Sequence, residues 1–556
     1  MHIEDLKTKM MIMKKIYKSV LGVGLVAFSM TSLTSCIDET EPTTVATTDQ
    51  IAQSSSAAEA LMMAMPAYFN EAASYDSWID DGSHFPFGYG AIMYIRDLMT
   101  GDLGFNQSRY AGHFSAWAQN KAMGESYLKT QYLWRYYYGF VLAANNTIGG
   151  INAETATDTQ LGYLGAGLAF RAMLYLDLAR MYEFLPNDKT SSINKDGNDV
   201  LNLTVPIVKA EMNQADAANN PRATREDMKA FIEEDLNHAE DYIVNLKDTR
   251  GNVLPDLACV YGLKARLYMW VEDYAKAQEY ARKAIDAAKV TPYTKERALS
   301  TINGYNTATD FMWASQQTSE DYTVNTGIVN WTSWLSNQTT FGYTGASTSL
   351  FNVIDANMYR RISDTDWRKL EFVGPAGSAL EGQNAFIDEE LGAAMPAYAS
   401  VKFRPNNGNI EDYAEGAASA YPIMRIEEMY FIEAEAAAHQ NPGQGKQLVE
   451  DFMKAYRDVN YSCKASDVDD VVEEIVFQKR VELWGEGQTF FDIKRLNYSV
   501  TRGYAGTPFF DLTRLNTNGR PAWMNIVIVR TESNNNTAVD RWNNPDPTDV
   551  YDPWTE

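Results

Sequence analysis

Two adjacent stripes of small and aromatic residues between Leu257 and Lys289 constrain the fold of this chain more than any other feature. Each stripe has the three- and four-residue spacing of one helix face, and a break at Glu272-Asp273 separates them. Small side chains on both stripes let two helices pack closely, so the segment predicts an antiparallel helix–turn–helix pair. The first stripe consists of Ala258, Tyr261, Ala265 and Tyr268, and the second of Tyr274, Ala277, Ala281, Ala284 and Ile285.

This arrangement is the tetratricopeptide pattern, and it has weaker copies elsewhere in the chain. One copy runs from Tyr421 to Tyr456, and helices over Tyr163–Tyr182 and Thr224–Leu246 are expected to form another pair. The sequence therefore predicts an all-α, mostly helical fold with tetratricopeptide-like pairs as its scaffold. Such pairs form either protein-contact surfaces or plain scaffolding, and both alternatives stay open at this point.

Two long stretches between the helical blocks have a different composition. Ala73 to Gly124 and Thr301 to Pro405 are rich in Gly, Asn, Ser, Thr and aromatic residues. Long irregular segments in a compact domain are usually functional or disordered, and the aromatic content argues against disorder. We therefore expect these loops to carry the ligand site.

The N-terminal segment has the organisation of a secretory signal peptide. Lys14, Lys15 and Lys18 form a basic start, Val20 to Met30 is a short apolar stretch, and Leu33-Thr34-Ser35-Cys36 closes it. The stretch falls short of the ~20 apolar residues that a transmembrane helix needs, although an uncleaved anchor is the alternative. The last four residues match a bacterial lipobox, which predicts a lipid on the sulfur of Cys36.

These features divide the chain into three parts. Residues 1–36 are the predicted signal peptide, within which residues 1–12 fit no part of a signal and indicate a true start at Met13. Residues 37–56, rich in Thr, Ser, Asp and Glu, are expected to form a flexible tether. Residues 57–556 are expected to form the folded domain.

Charge and cysteine content exclude several classes of partner. The net charge is −25, and it becomes −28 once the five lysines and two acidic residues before Cys36 are removed. Such a surface repels nucleic acid and favours neutral ligands.

Cys259 and Cys463 are too few for a disulfide scaffold, and the sequence leaves open whether they pair. Five dispersed histidines and an incomplete calcium-loop pattern at Asn194–Asp199 predict no metal site.

Three stretches resemble one known family, the SusD/RagB nutrient-binding lipoproteins. YPIMRIEE from Tyr421, followed by IEAEA from Ile432, resembles the family's "YP-x-x-R-x-x-E … AEA" helix. VEEIVFQKRVELWGEGQTFFDIKRLN, from Val472 to Asn497, resembles its longest signature, and RAMLYLDLARMY from Arg171 resembles a third. Gln488-Thr489 departs from the pattern where an arginine is common. Together with the lipobox and the helix pairs, the resemblance spans nearly the whole chain after Cys36.

The Val472–Asn497 signature also has a direct physical interpretation. Five charged residues of both signs lie at helix-compatible spacing among apolar anchors, and Gly485 and Gly487 are expected to interrupt the helix. A carboxylate cluster so close to arginines resembles a catalytic site, but we interpret it as an internal structural network. The charged residues are Arg480, Glu482, Glu486, Asp492 and Arg495.

The resemblance implies a protein that is lipid-anchored through Cys36 on the outer face of an outer membrane. Members of the family capture a nutrient, usually an oligosaccharide, and pass it to a SusC-like TonB-dependent transporter. Asp38, Glu39 and Glu41 resemble the acidic stretch that directs such lipoproteins to the cell surface. The tetratricopeptide face is expected to contact the transporter. The resemblance implies no cofactor and no catalytic residue.

The chemistry of sugar binding selects the candidate ligand residues. Aromatic rings stack on the apolar C–H faces of sugars, and amide or charged side chains hydrogen-bond their hydroxyl groups. Family members place ligand contacts near the first aromatic-rich stretch. The candidates there are Tyr89, Trp117 and Asn120, and those in the second stretch are Trp331, Trp334 and Tyr343.

Three function classes fit the sequence. The first is non-catalytic capture of a neutral glycan, and the second is capture of a peptide or another nutrient, as in RagB-like members. The third is a surface glycan-active enzyme, which would need two carboxylates flanking the scissile bond. The sequence has no nucleophile elbow, phosphate loop or zinc motif, so we predict a binding protein that is not an enzyme.

Overall fold

The computed structural model describes residues 55–72, 84–108, 111–345 and 348–555. Within them the chain is mostly helical, with 20 α-helices and four short strands. Eleven helices of eight residues or more build the scaffold. They are α1 (Ser55–Tyr68), α2 (Tyr89–Leu98), α4 (Leu128–Gly149), α5 (Asp158–Tyr182), α7 (Arg225–Ile243), α8 (Leu257–Trp270), α9 (Tyr274–Ala287), α16 (Ile426–Gln440), α17 (Pro442–Tyr456), α18 (Val468–Glu482) and α19 (Thr489–Leu496).

The remaining elements are short and lie in the connections. The short α-helices are α3 (Gly112–Ala118), α6 (Gln214–Ala217), α10 (Lys295–Ala298), α11 (Tyr322–Asn325), α12 (Trp331–Leu335), α13 (Ala356–Arg361), α14 (Glu389–Ala393), α15 (Tyr413–Gly416) and α20 (Arg530–Asn535). The 3-10 helices are Ala308–Asp310, Trp367–Glu371, Asn406–Gly408, Asp511–Thr513 and Ala522–Met524. The strands are β1 (Leu103–Phe105), β2 (Trp313–Gln316), β3 (Asn352–Ile354) and β4 (Ala420–Met424).

The predicted pair at Leu257–Lys289 is confirmed. Helices α8 and α9 pack against each other, and the side chains of Ala277, Ala281 and Ala284 are fully buried. Glu272 takes a left-handed conformation (φ 61°) in the turn, and the Asp273 side chain accepts a hydrogen bond from the backbone N–H of Lys276. The turn therefore ends one helix and caps the next, as the break in the apolar pattern indicated.

Helices α5 and α7 form the second predicted pair, and glycines set their close approach. A Cβ atom on Gly165 would lie 2.6 Å from the backbone nitrogen of Ile243, and one on Gly162 would lie 2.6 Å from that of Leu246. The two helices are antiparallel, and a bidentate ion pair between Arg171 and Asp235 joins them at 2.7–2.8 Å. The prediction of this pair is confirmed.

The third pair is confirmed for α16 and α17, but its predicted start is wrong. Residues Ala420–Met424 form strand β4, which pairs antiparallel with β2, more than 100 residues away along the chain. Pro422 lacks the backbone N–H that a helix interior requires, whereas an edge strand of a sheet tolerates a proline. The helix therefore begins only at Ile426.

The first aromatic-rich stretch is less irregular than predicted. Residues Tyr89–Leu98 form helix α2, and all ten of its residues are buried. The sequence YGAIMYIRDL is apolar on nearly every side, so it lacks the amphipathic period that marks surface helices. Helix α2 lies in the main hydrophobic core, which the scaffold helices surround.

Buried cations close the C-terminal end of α5. The Lys494 ammonium donates to the backbone oxygens of Met181 and Glu183 at 2.9 and 2.7 Å. The Arg222 guanidinium donates to the backbone oxygen of Tyr182 at 3.1 Å, and burial lowers its pKa to about 9. These donors satisfy carbonyl groups that have no partner within the helix, and positive charge is favoured at that end.

Cys259 and Cys463 are both buried and do not form a disulfide. None of the described helices combines the length and the apolarity that a membrane span requires. The predicted signal peptide, Cys36 and nearly all of the predicted tether lie outside the described residues. Helix α1 begins at Ser55, so the last two residues of the predicted tether belong to a helix instead.

Candidate functional site

A fully buried carboxylate, Glu482, lies at the centre of the Val472–Asn497 signature. It accepts hydrogen bonds from Arg457 (2.7 and 2.8 Å), Arg425 (2.6 Å) and Arg368 (3.2 Å). Burial by itself would raise the pKa of Glu482, but the attraction of Arg457 and Arg425 outweighs it and holds the pKa well below the usual range. Glu482 is therefore an ionised, fully paired group with no free proton to give or take.

The other charged residues of the signature are paired in the same way. Glu486 accepts from Arg425 and Lys402, both at 2.7 Å, and Asp492 lies 2.8 Å from Lys479. Arg480 pairs with Asp102, and Arg495 with Glu435. All five are thus held in ion pairs inside the protein, which confirms the interpretation of the signature as a structural network.

Asp97 gives the protein a pH-dependent stability. Burial raises the pKa of this carboxyl group to about 8, and the hydrogen bond from the backbone N–H of Gly487 (2.9 Å) opposes the shift only in part. Asp102 and Glu486 raise the pKa further, while Arg96 lowers it. Between the usual aspartate pKa and pH 8, the folded protein holds a proton that the unfolded chain has lost, so stability falls as the pH rises through this window.

We expect Asp97→Asn to reduce the loss of stability with rising pH, since asparagine has the shape of the protonated acid and no charge to bury. Between pH 5 and pH 8 the unfolding free energy of the variant should fall by ~4 kcal/mol less than that of the wild type. Urea unfolding at both pH values measures the difference. In the control Asp511→Asn, at an exposed carboxylate, the unfolding free energy should fall between pH 5 and pH 8 by as much as in the wild type. An equal fall in the Asp97 variant would show that Asp97 is ionised in the folded protein at pH 5.

The two aromatic-rich stretches, which lie more than 170 residues apart in sequence, meet in one aromatic cluster. Phe114 of α3 contacts Trp117 and Trp334, with ring centroids 6.0 and 4.6 Å apart. Trp334 of α12 in turn stacks on Tyr343, with centroids 4.6 Å apart and ring planes 9° apart. We define the aromatic cluster as Phe85, Tyr94, Phe114, Trp117, Trp334 and Tyr343.

Most of the predicted ligand-binding rings lie inside this cluster or the adjoining core. Trp117, Trp331, Trp334 and Tyr89 are each at most 2% exposed. Trp331 stacks on Tyr421 with centroids 4.9 Å apart. These rings pack against other rings, because the segments that carry them fold onto the core. Direct ligand contact at these four positions stays a prediction, and their packing role is what the structure shows.

Two of the predicted ligand-binding side chains, Tyr89 and Asn120, donate buried hydrogen bonds within the protein. The Tyr89 hydroxyl donates to Asp177 at 2.6 Å, within a buried group that also includes Arg96. Asn120, which is 1% exposed, donates to the backbone oxygen of Pro547 at 2.6 Å and so fastens the C-terminal segment to the α3 loop. Ligand contact at Asn120 likewise stays a prediction.

Tyr343 is the one predicted ligand residue that keeps part of its surface exposed. Its ring is held against Trp334, and the Trp334 indole N–H donates to the backbone oxygen of His84 at 3.2 Å. The Tyr343 hydroxyl and the His84 ring nitrogen are also hydrogen-bonded. A half-buried ring fixed by a second ring is a rigid platform of the kind that binds an apolar sugar face.

Polar side chains that the sequence did not indicate surround Tyr343. Thr348 donates to the backbone oxygen of Tyr343 at 2.9 Å, and Gln107 donates to the backbone oxygen of Thr348 at 3.2 Å. His84, Gln107 and Thr348 are all partly exposed. They come from three separate segments, and no local motif marks them. These residues and Tyr343 form the Tyr343 site.

Among the described residues, no group of three or more His, Cys, Asp or Glu side chains is placed to hold a metal ion. The Asn194–Asp199 segment forms a tight turn in which the Asn194 side chain accepts from the backbone N–H groups of Asp196 and Asn198. The same side chain donates to the backbone oxygens of Arg541 and Asn543. The turn therefore fastens the C-terminal segment.

The helix pairs, the buried signature network and the aromatic cluster define a mostly helical protein built on tetratricopeptide-like pairs. The model of the SusD family matches residues 269–552, which include the signature, helix α9 and the α16–α17 pair. The chain belongs to the SusD family. No curated protein sequence is significantly similar to it.

Solved structures agree with this assignment of the fold. The chain is similar to a SusD-like carbohydrate binding protein from Bacteroides vulgatus ATCC 8482, with 20% identity and a TM-score of 0.66 over 87% of this chain and 97% of that one. It is also similar to a SusD superfamily protein from Bacteroides thetaiotaomicron VPI-5482, with 17% identity and a TM-score of 0.65 over 88% and 99% of the two chains. A putative sugar binding protein from Bacteroides vulgatus has 16% identity and a TM-score of 0.62 over 87% and 97%.

Proposed function

We propose that this protein captures a neutral oligosaccharide or polysaccharide at the cell surface without cleaving it and delivers it to a SusC-like TonB-dependent transporter. Membership of the SusD family is the observation that carries the proposal. One of its structural neighbours is described as a carbohydrate binding protein and another as a putative sugar binding protein. The lipid on Cys36 would hold the protein at the outer membrane.

The charge and the site chemistry support a neutral ligand. The chain carries a net charge of −25, which repels polyanions. At the Tyr343 site a rigid aromatic platform lies beside amide, hydroxyl and imidazole groups, which together can contact both the faces and the hydroxyl groups of a sugar. The signature carboxylates, which are the most concentrated acidic cluster predicted from the sequence, are all paired with cations. Binding without reaction needs no free acid.

Peptide capture is the second candidate, because the family resemblance includes RagB-like members. The Tyr343 site has no exposed carboxylate among its four residues, so nothing in it selects for a basic peptide. The neutral glycan is therefore the better match.

We expect Tyr343→Ala to weaken glycan binding by about two- to tenfold, which corresponds to the ~0.5–1.5 kcal/mol of one aromatic contact. Isothermal titration of residues 37–556 against a glycan that binds the wild type measures the change. Trp542→Ala removes an exposed ring elsewhere (39% exposed) and should bind normally. Equal affinities for the two variants would place the ligand away from Tyr343.

A further inference from the structure

An elongated groove crosses the surface around Tyr456, where the α17 helix ends. Three depressions of about 210, 320 and 250 Å³ follow one another. Tyr456 lines the first and the second, and Tyr293 and Thr294 line the second and the third. Because neighbouring depressions share lining residues, we treat them as one channel, the Tyr456 groove.

An exposed aromatic ring lies at the junction of the first two depressions. Tyr456 is 36% exposed, and its ring centroid lies 5.3 Å from that of the buried Phe452. The Trp367 indole N–H donates to the backbone oxygen of Tyr456 at 2.7 Å, and the Trp367 side chain lines the middle depression. The ring of Tyr456 thus packs against Phe452 while part of the residue stays exposed, and an exposed, anchored ring can contact the apolar face of a sugar.

The charges along the groove nearly balance, although the chain as a whole is strongly acidic. Six cationic and five acidic side chains line the three depressions. Such a lining offers both donors and acceptors, as sugar hydroxyl groups need, and attracts neither polyanions nor polycations. The cations are Arg282, Lys289, Lys295, Arg297, Lys454 and Arg457, and the acids are Glu296, Asp310, Glu433, Asp451 and Asp458.

We propose that the Tyr456 groove is a second binding site, for a linear neutral oligosaccharide. Two of the depressions are smaller than the ~300–1,000 Å³ of ordinary ligand pockets, but the joined channel falls within that range. Its elongated shape fits a chain of sugar units better than one compact molecule. A polysaccharide bound at both Tyr343 and Tyr456 would gain affinity because the second contact becomes intramolecular. The groove rests on the proposed glycan-binding function, but it stands on its own residues and does not depend on the Tyr343 site.

The test compares variants of residues 37–556 in titrations with a panel of neutral hexasaccharides and the corresponding polysaccharides. Tyr456→Ala removes the exposed ring, and Val459→Arg places a long side chain at the rim of the groove from a position that is 77% exposed. Both should lower the affinity for the polysaccharide about two- to tenfold and leave the thermal unfolding midpoint unchanged. Tyr413→Ala, at another exposed tyrosine (42%), is the matched control and should bind normally.

The outcomes separate the groove from the Tyr343 site. Binding that survives Tyr343→Ala but weakens in both groove variants supports the groove and contradicts the Tyr343 site. Binding that is lost in Tyr343→Ala and unchanged in both groove variants overturns the groove. Absence of binding to every glycan overturns both. Protection of Tyr456 from chemical labelling by a protein partner, with none by glycans, would assign the groove to protein docking and overturn the proposal as well.

Discussion

Replacing Glu482 by Gln should destabilise the protein by about 3–5 kcal/mol, the usual cost of removing one partner from a buried ion pair. Glu482 is fully buried and balances the charges of Arg368, Arg425 and Arg457. Without it, these guanidinium groups keep only the remaining acids Glu427, Glu486 and Asp366 as counter-charges. The midpoint of urea unfolding, followed by tryptophan fluorescence, measures the loss.

Glu473→Gln provides the matched control on the same helix. Glu473 pairs with Arg361 at 2.6 Å, but both side chains are about two-fifths exposed. Surface pairs of this kind contribute ~0–1 kcal/mol because water screens them. Equal unfolding midpoints for the two variants would contradict the structural role of the signature network.

Replacing Gly487 by Ala should also destabilise the protein severely, by about 3 kcal/mol or more. Gly487 has φ +68°, and a Cβ atom there would lie 2.7 Å from the Cα of Met93 and 2.9 Å from its backbone oxygen. The obstacle is the backbone of the buried helix α2, which cannot rotate away as a side chain could. The change therefore adds overpacking of ~1–3 kcal/mol to the strain of a left-handed residue.

Gly506→Ala separates these two contributions. Gly506 has φ +81° and nothing within 4 Å of an added Cβ. The unfolding free energy of Gly506→Ala should therefore fall only by the ~1–2 kcal/mol that the left-handed conformation costs a non-glycine residue. If both variants unfold at the same urea concentration, the contact between Gly487 and α2 is looser than the structure describes.

Those parts of the fold that depend on local pattern were predictable from the sequence. Alanines at helical spacing specified the α8–α9 pair, because small residues and a break between stripes are a local signal. The charges around Glu482 indicated ion pairs, but the partners Arg368, Arg425 and Arg457 come from other segments, which the local pattern could not identify. Strand β4 was not predictable, because its partner β2 lies more than 100 residues away and Pro422 gives no strand signal.

The candidate site was predictable only in its region. The sequence indicated both aromatic-rich stretches, but irregular segments lack the periodicity that separates a buried ring from an exposed one. Trp117 and Trp334 therefore resembled platforms, whereas the structure packs them against Phe114. His84 and Gln107 could not be found, because only the folded chain brings them to Tyr343.

Titration of residues 37–556 with a panel of neutral polysaccharides, with the supernatants analysed for cleavage products, tests the central claim most directly. The account predicts heat of binding to at least one neutral polymer, no released oligosaccharide, and weaker binding in Tyr343→Ala. Release of shorter glycans into the supernatant would show that the protein is an enzyme and contradict capture without cleavage. Retention of peptides with no heat from any glycan would contradict glycan capture and assign the protein to peptide uptake.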